Sequence, residues 1–189
     1  MSPRVPLAEP PYSQNVGEAF ERLMPPGVPP LGLFRALAVD ERLFSRFMSG
    51  GLLDPGHLTL RQREIVIDRV TARGGSEYEW GVHMALFGDR AELTSEQAGS
   101  LVHGGAEDAC WTRDDERQLI RLCDRLLETC DLDDDLWAEA RTHFTDPALI
   151  EILMLAGFYR TVSCLANGLR IPLEDWGRRF PPADETGVA

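Results

Sequence analysis

Lysine is absent from this chain; all 19 of its basic residues are arginine. That excludes Schiff-base chemistry, a pyridoxal anchor and a phosphate-cradling P-loop, each of which needs an amine side chain at its centre. Positive charge is scarce altogether. The 31 acidic residues leave a formal charge of −12, which argues against non-specific binding to nucleic acid or anionic membranes. The four cysteines, Cys110, Cys123, Cys130 and Cys164, form no CxxC pair, and His103 and His143 do not pair with them at zinc-finger spacing. They read as reduced thiols, Cys123 and Cys130 being seven apart on one helical stretch. No HExxH is present, and no metal or other cofactor is expected. No apolar run reads as reaching membrane-spanning length, and "MSPRVPLAEPPYSQN" lacks the apolar core of a signal peptide. A cytoplasmic setting with no membrane partner is therefore expected.

Strand alternation is also missing. Helical spacing of apolar residues takes its place, so the fold class is all-α. The length of 189 residues fits one domain with an arm: an N-terminal arm over 1–30, partly extended, a helical domain over 31–180, and a flexible tail over 181–189. A short helix over Val16–Met24 stops at "PPGVPP". Two short helices follow, hinged near Asp40. Thr59 and Gln62 form a capping-box pattern at the start of the next helix, whose buried stripe is Leu60, Val66, Ile67 and Val70. "RGG" ends it. Ser76 opens another helix with Glu79 at the capping-box position. Trp80, Met84 and Phe87 form its apolar side, and Gly88 closes it. Thr94 with Gln97, and Thr112 with Asp115, start two more. The acidic "DLDDD" opens a helix over Leu136–Phe144. Asp146 and Pro147 read as the cap and first turn of the most apolar helix, "ALIEILMLAGFYRTVSCLANGL", and "LEDWGRRF" as a last short helix.

The chemistry is concentrated in "RQREIVIDRVTARGGSEYEWGVHMALFG". Glu79 and His83 are four apart, hence on one helix face. Glu64 lies on the preceding helix, beyond the glycine turn, and antiparallel packing would bring it beside His83. Flanked by Ile65 and Ile67, its carboxylate is a candidate for burial, and a buried Glu–His pair is a usable acid–base relay near neutral pH. Simpler readings stay open: Ser76 and Glu79 as a capping box, Glu64 paired with Arg61 or Arg69 on the solvent face, and His83 as a core histidine. On the last long helix, Tyr159, Arg160 and Asn167 interrupt a greasy surface. Tyr159 and Asn167 are eight apart and would line the same cavity, Asn167 otherwise ending the helix before Gly168. Arg160 would hold a substrate carboxylate or pair with an acid.

The run "LTLRQREIVIDRVTARGGSEYEWGVHMALFG" resembles the core motif of the carboxymuconolactone decarboxylase and alkylhydroperoxidase D-like superfamily. The likeness extends from about Leu31 to Ile171, including "IEILMLAGFYRTVSCLANGL" and "DDERQLIRLCDRLL". It implies a multihelical bundle that self-associates as a dimer, trimer or hexamer. In the peroxidase branch, a CxxC pair opens the helix, a His follows four residues after its second Cys, and a Glu on the preceding helix completes a proton relay. The Glu falls here on Glu64 and the His on His83, but the two cysteine positions hold Ser76 and Glu79. Serine cannot replace a peroxidatic thiolate, because hydroperoxide reduction proceeds through a sulfenic acid.

The resemblance then implies a decarboxylase, lyase or hydrolase type of acid–base enzyme. Its substrate would be a small carbonyl, lactone or carboxylated organic compound. Glu64, His83, Glu79 and Tyr78 are the candidate catalytic residues, and Ser76, Trp80, Tyr159, Arg160 and Asn167 the candidate substrate-binding residues. Two other readings are carried forward: a peroxiredoxin-type antioxidant protein, which needs one of the four cysteines to reach the pocket, and a non-catalytic ligand-binding or assembly protein.

Overall fold

The computed structural model describes residues 2–25 and 27–183, so most of the expected flexible tail, 184–189, lies outside the described residues. Among the described residues there are nine helices and no strand. They are α1 (Gln14–Leu23), α2 (Gly32–Leu37), α3 (Glu41–Met48), α4 (Leu60–Arg73), α5 (Glu77–Leu86), α6 (Ser95–His103), α7 (Asp114–Thr129), α8 (Asp134–Ala140) and α9 (Asp146–Leu169). The all-α reading is thus what the chain adopts.

Helix α4 is the axis of the molecule, packed against α5, α6, α7 and α9. Ile65, Val66, Ile67 and Val70 are wholly buried, as a core stripe requires. The expectation of a single stripe nevertheless falls short. Glu64, Asp68, Arg69 and Thr71 on the same helix are buried as well, so α4 is enclosed around most of its circumference. Buried polar groups need partners. Arg69 finds them in a two-pronged ion pair, Nε and Nη2 each donating to Asp124 at 2.7 Å, and in the carbonyls of Ser100 and Leu101. Arg61 donates to Glu116 at 2.7 Å.

Local signals set most helix starts. The capping boxes Thr59–Gln62 and Thr94–Gln97 are both formed, and Asp40 caps α3 between the two hinged helices. Several boundaries differ from expectation, α1 among them, which runs Gln14–Leu23 rather than Val16–Met24. Thr112 does not cap α7, which starts at Asp114 behind Arg113 with no side-chain cap. Asp133 caps α8, drawing it forward to Asp134–Ala140. Thr145 caps α9, which moves Asp146 and Pro147 one residue into the helix.

A larger correction concerns "LEDWGRRF". It is not helical but a strap across α5, with the Arg178 N–H donating to the Gly81 carbonyl at 3.0 Å and the Phe180 N–H to Glu77 at 3.0 Å. A Cβ at position 81 would run into the Arg178 carbonyl, so this close approach requires glycine. At the other end the N-terminal arm is tied down. Arg4 donates its N–H to Leu169, Ala8 does so to Arg35, and Val5, Leu7 and Tyr12 pack on the core.

Candidate functional site

The α4–α5 hairpin builds the site. Gly75 takes a left-handed φ of +63°, which lets the chain reverse, and the Ser76 N–H reaches back to the Thr71 carbonyl at 2.8 Å. The reversal runs α5 antiparallel to α4 and sets His83 opposite Glu64. His83 Nδ1 lies 2.7 Å from Glu64 Oε2, and both side chains are buried. Arg63 donates its Nε–H to the other carboxylate oxygen at 3.1 Å, so Glu64 is held from both sides. The alternative pairings with Arg61 and Arg69 do not form, because those arginines are engaged with Glu116 and Asp124.

The far nitrogen of His83 completes the chain. Nε2 lies 3.1 Å from the Tyr159 hydroxyl and 3.5 Å from Glu79 Oε1. The Tyr159 ring meets the imidazole edge-on, at 5.1 Å and 89°. Burial by itself pulls the His83 pKa down, but hydrogen bonds and charge from Glu64 and Glu79 outweigh it and carry the imidazole up to about 10. His83 is therefore an imidazolium at neutral pH, and both ring N–H groups donate. Nδ1–H serves Glu64, while Nε2–H faces Tyr159 and Glu79. Burial and the surrounding carboxylates hold the Tyr159 phenol well above its usual range, so it keeps its proton. An oxygen that accepts from Nε2–H leaves its own hydrogen free for another acceptor.

This polar end opens into a cavity of about 370 Å³ whose remaining wall is apolar. Met24 and Val28 between α1 and α2, Phe47 of α3, Leu86 of α5, Phe158 of α9, and Trp176 on the strap close around it. Glu79, His83 and Tyr159 are the site candidates that line it; Glu64 stands behind His83.

Five other candidates stand elsewhere. The Tyr78 hydroxyl donates to Glu174 at 2.8 Å and accepts from the Leu33 N–H at 3.1 Å, clamping the strap to α2. Trp80 packs against Phe180 with ring centroids 5.3 Å apart, under the strap. Ser76 is buried with its hydroxyl unpartnered and makes no cap bond, so the Ser76–Glu79 capping box is not formed. Arg160 points outward and donates to the Leu127 carbonyl at 2.8 Å. Asn167 donates to the Gly74 carbonyl at 2.9 Å, fastening α9 to the hairpin turn rather than lining the cavity.

Two residues of the site escaped the reading of the sequence. Asp68 is wholly buried with neither carboxylate oxygen bonded, and burial holds its pKa well above the carboxylate range. Its position four residues after Glu64, on the same face and inside an apolar run, was the available signal. Arg63 is the other, hidden because adjacent residues on a helix do not face each other by spacing alone. Among the described residues no group of three or more His, Cys, Asp and Glu side chains is arranged to hold a metal ion. Among the described residues no cysteine lines the cavity, and burial pushes the Cys123 thiol up to about 12.

No protein-family model matches the sequence, and no curated protein does. The fold does have solved counterparts. One is an uncharacterized peroxidase-related protein from Ralstonia eutropha with an alkylhydroperoxidase AhpD core. It is 17% identical, with 92% of this chain and 93% of that one covered and a TM-score of 0.80. An uncharacterized peroxidase-related protein from a Silicibacter species is 16% identical over 96% of this chain and 99% of its own, with a TM-score of 0.76. A protein of unknown function from Agrobacterium tumefaciens is 19% identical over 92% and 99%, with a TM-score of 0.56. The architecture is thus the alkylhydroperoxidase D-like bundle that the core motif resembles.

Proposed function

We propose that this chain, with its alkylhydroperoxidase D-like fold, is a cofactor-free acid–base enzyme of the lyase or hydrolase type. Its substrate is a small carbonyl compound or lactone. The observation that supports this most directly is the buried chain Glu64–His83, continued to Tyr159 and Glu79, ending in an apolar cavity. His83 is charged in the resting site and acts as the acid. Glu64 positions it and balances its charge. Glu79, the carboxylate that lines the cavity, is the base. The Tyr159 hydroxyl, held by the imidazolium, hydrogen-bonds the substrate oxygen as negative charge develops there. In the lyase branch Glu79 takes a proton from a carbon beside the carbonyl while Tyr159 and His83 hydrogen-bond the enolate oxygen. As the carbonyl re-forms, the bond to a leaving group on the next carbon breaks and that group departs with a proton from His83. In the hydrolase branch Glu79 takes a proton from a water whose oxygen bonds the lactone carbonyl carbon, and the ring C–O bond then breaks as the leaving alkoxide receives a proton from His83.

The descriptions of the structural counterparts suggest peroxidase chemistry instead. That reading requires a thiolate in the cavity, where none of the four cysteines lies. The four free thiols fit a reducing, cytoplasmic compartment.

The test is a screen of small ketones and lactones for deuterium exchange beside the carbonyl and for ring opening, followed by single substitutions. Glu79→Gln and His83→Ala each lower turnover by about 10²–10⁴-fold, the usual worth of one positioned acid or base. Turnover that survives both substitutions, or peroxide consumption with a dithiol that cysteine alkylation abolishes, overturns the proposal.

A further inference from the structure

The lining of the cavity bears on the charge of its substrate. Resting on the acid–base reading above, we infer that the site takes an uncharged molecule with a hydrocarbon body and one carbonyl-type oxygen, and that it rejects the matching carboxylate.

A carboxylate buried in an apolar cavity needs a cation beside it. Among the described residues, no arginine lines this cavity, and the chain has no lysine. Of the two cations at the polar end, His83 and Arg63, only His83 lines the cavity, and its charge is already matched by Glu64 at 2.7 Å, with Glu79 at 3.5 Å besides. Arg63 is held by Glu64 and by the Leu53 carbonyl, which it meets at 2.8 Å. Arg160, the sequence's candidate for gripping a carboxylate, faces away. A second carboxylate would therefore meet Glu79 as a like charge against an apolar wall. A neutral carbonyl meets no such opposition. It accepts hydrogen bonds from groups that already donate, and it leaves its carbon skeleton to Phe47, Phe158, Leu86 and Trp176.

The experiment is calorimetric titration of the full chain at neutral pH with two matched pairs: methyl phenylacetate against phenylacetate, and acetophenone against benzoate. The neutral member of each pair binds at least about tenfold more tightly. In Glu79→Gln the carboxylates gain affinity and the gap narrows, which separates charge rejection from mere greasiness. A second variant adds the missing cation. Leu86 lines the cavity yet is 45% exposed, so Leu86→Arg is tolerated at the rim and raises carboxylate affinity. Equal or tighter binding of the carboxylates by the unmodified chain overturns the inference, as does failure of both neutral probes to bind. A gap unchanged in both variants overturns it too. Discrimination without turnover of any neutral compound leaves this inference standing and sinks the acid–base reading. Turnover of a ketone or lactone with equal binding of carboxylates does the reverse.

Discussion

His83 and Asp68 show how burial acts in opposite ways on two neighbouring groups. The imidazole keeps its charge because Glu64 and Glu79 overcome desolvation, whereas Asp68 has no partner among the described residues and desolvation raises its pKa, favouring the neutral form. Both folded pKa values lie above the ordinary values of 6.5 and 3.8. The sign is therefore the same for both: stability is fully present below the unfolded pKa and is lost as pH rises through the folded one. For His83 that window runs from 6.5 to about 10, so chemical denaturation at a series of alkaline pH values shows falling stability across it. The His83 ring protons, followed by NMR, titrate near the top of that window, and Glu64→Gln moves the midpoint down. For Asp68 the loss begins above 3.8, because the unfolded carboxyl gives up its proton before the folded one does. Asp68→Asn has no proton to lose, so its stability by urea denaturation gains on that of the unmodified chain as pH rises above 3.8.

Within single elements, short-range chemistry was legible and long-range recruitment was not. Thr59–Gln62 and Thr94–Gln97 cap their helices as their spacing demands, because a capping box is complete within four residues. Ser76–Glu79 has the same spacing and does not form it; Glu79 turns instead toward His83. "LEDWGRRF" carries helical spacing yet forms only one turn, closed by the Gly177 N–H on the Glu174 carbonyl, because the rest of its backbone is satisfied by Gly81 and Glu77 on another element. That strap carries Trp176 to the cavity. Gly81→Ala forces the Arg178 carbonyl away from α5, so hydrogen exchange speeds up through 171–180 while α4 keeps its protection.

At the scale of the whole molecule, the cavity is assembled from α1, α2, α3, α5, α9 and the strap, segments spread over most of the chain. The expectation that no apolar run reaches membrane-spanning length is corrected by helix α9. By length and composition alone its 24 residues suffice, yet its inner face packs on α4, α5 and α7. The outer face leaves Ile150, Leu153 and Met154 exposed at helical spacing, an apolar strip of the kind that marks a docking surface. The self-association that the family resemblance implies is tested there. Sedimentation of the unmodified chain gives a mass above the 21.1 kDa protomer, and Leu153→Glu with Met154→Glu returns it to that mass.

The sequence by itself determined the helical class, most helix starts, and the meeting of Glu64 with His83, because one turn between two antiparallel helices fixes that pairing through local spacing. Only the tertiary structure decided that Tyr159 rather than Tyr78 completes the site, that Arg160 and Asn167 face away, and that Asp68 sits unpartnered behind it. Those outcomes depend on how α9 and the strap rotate and slide against the hairpin, and helical periodicity within one segment carries no record of its rotation against another.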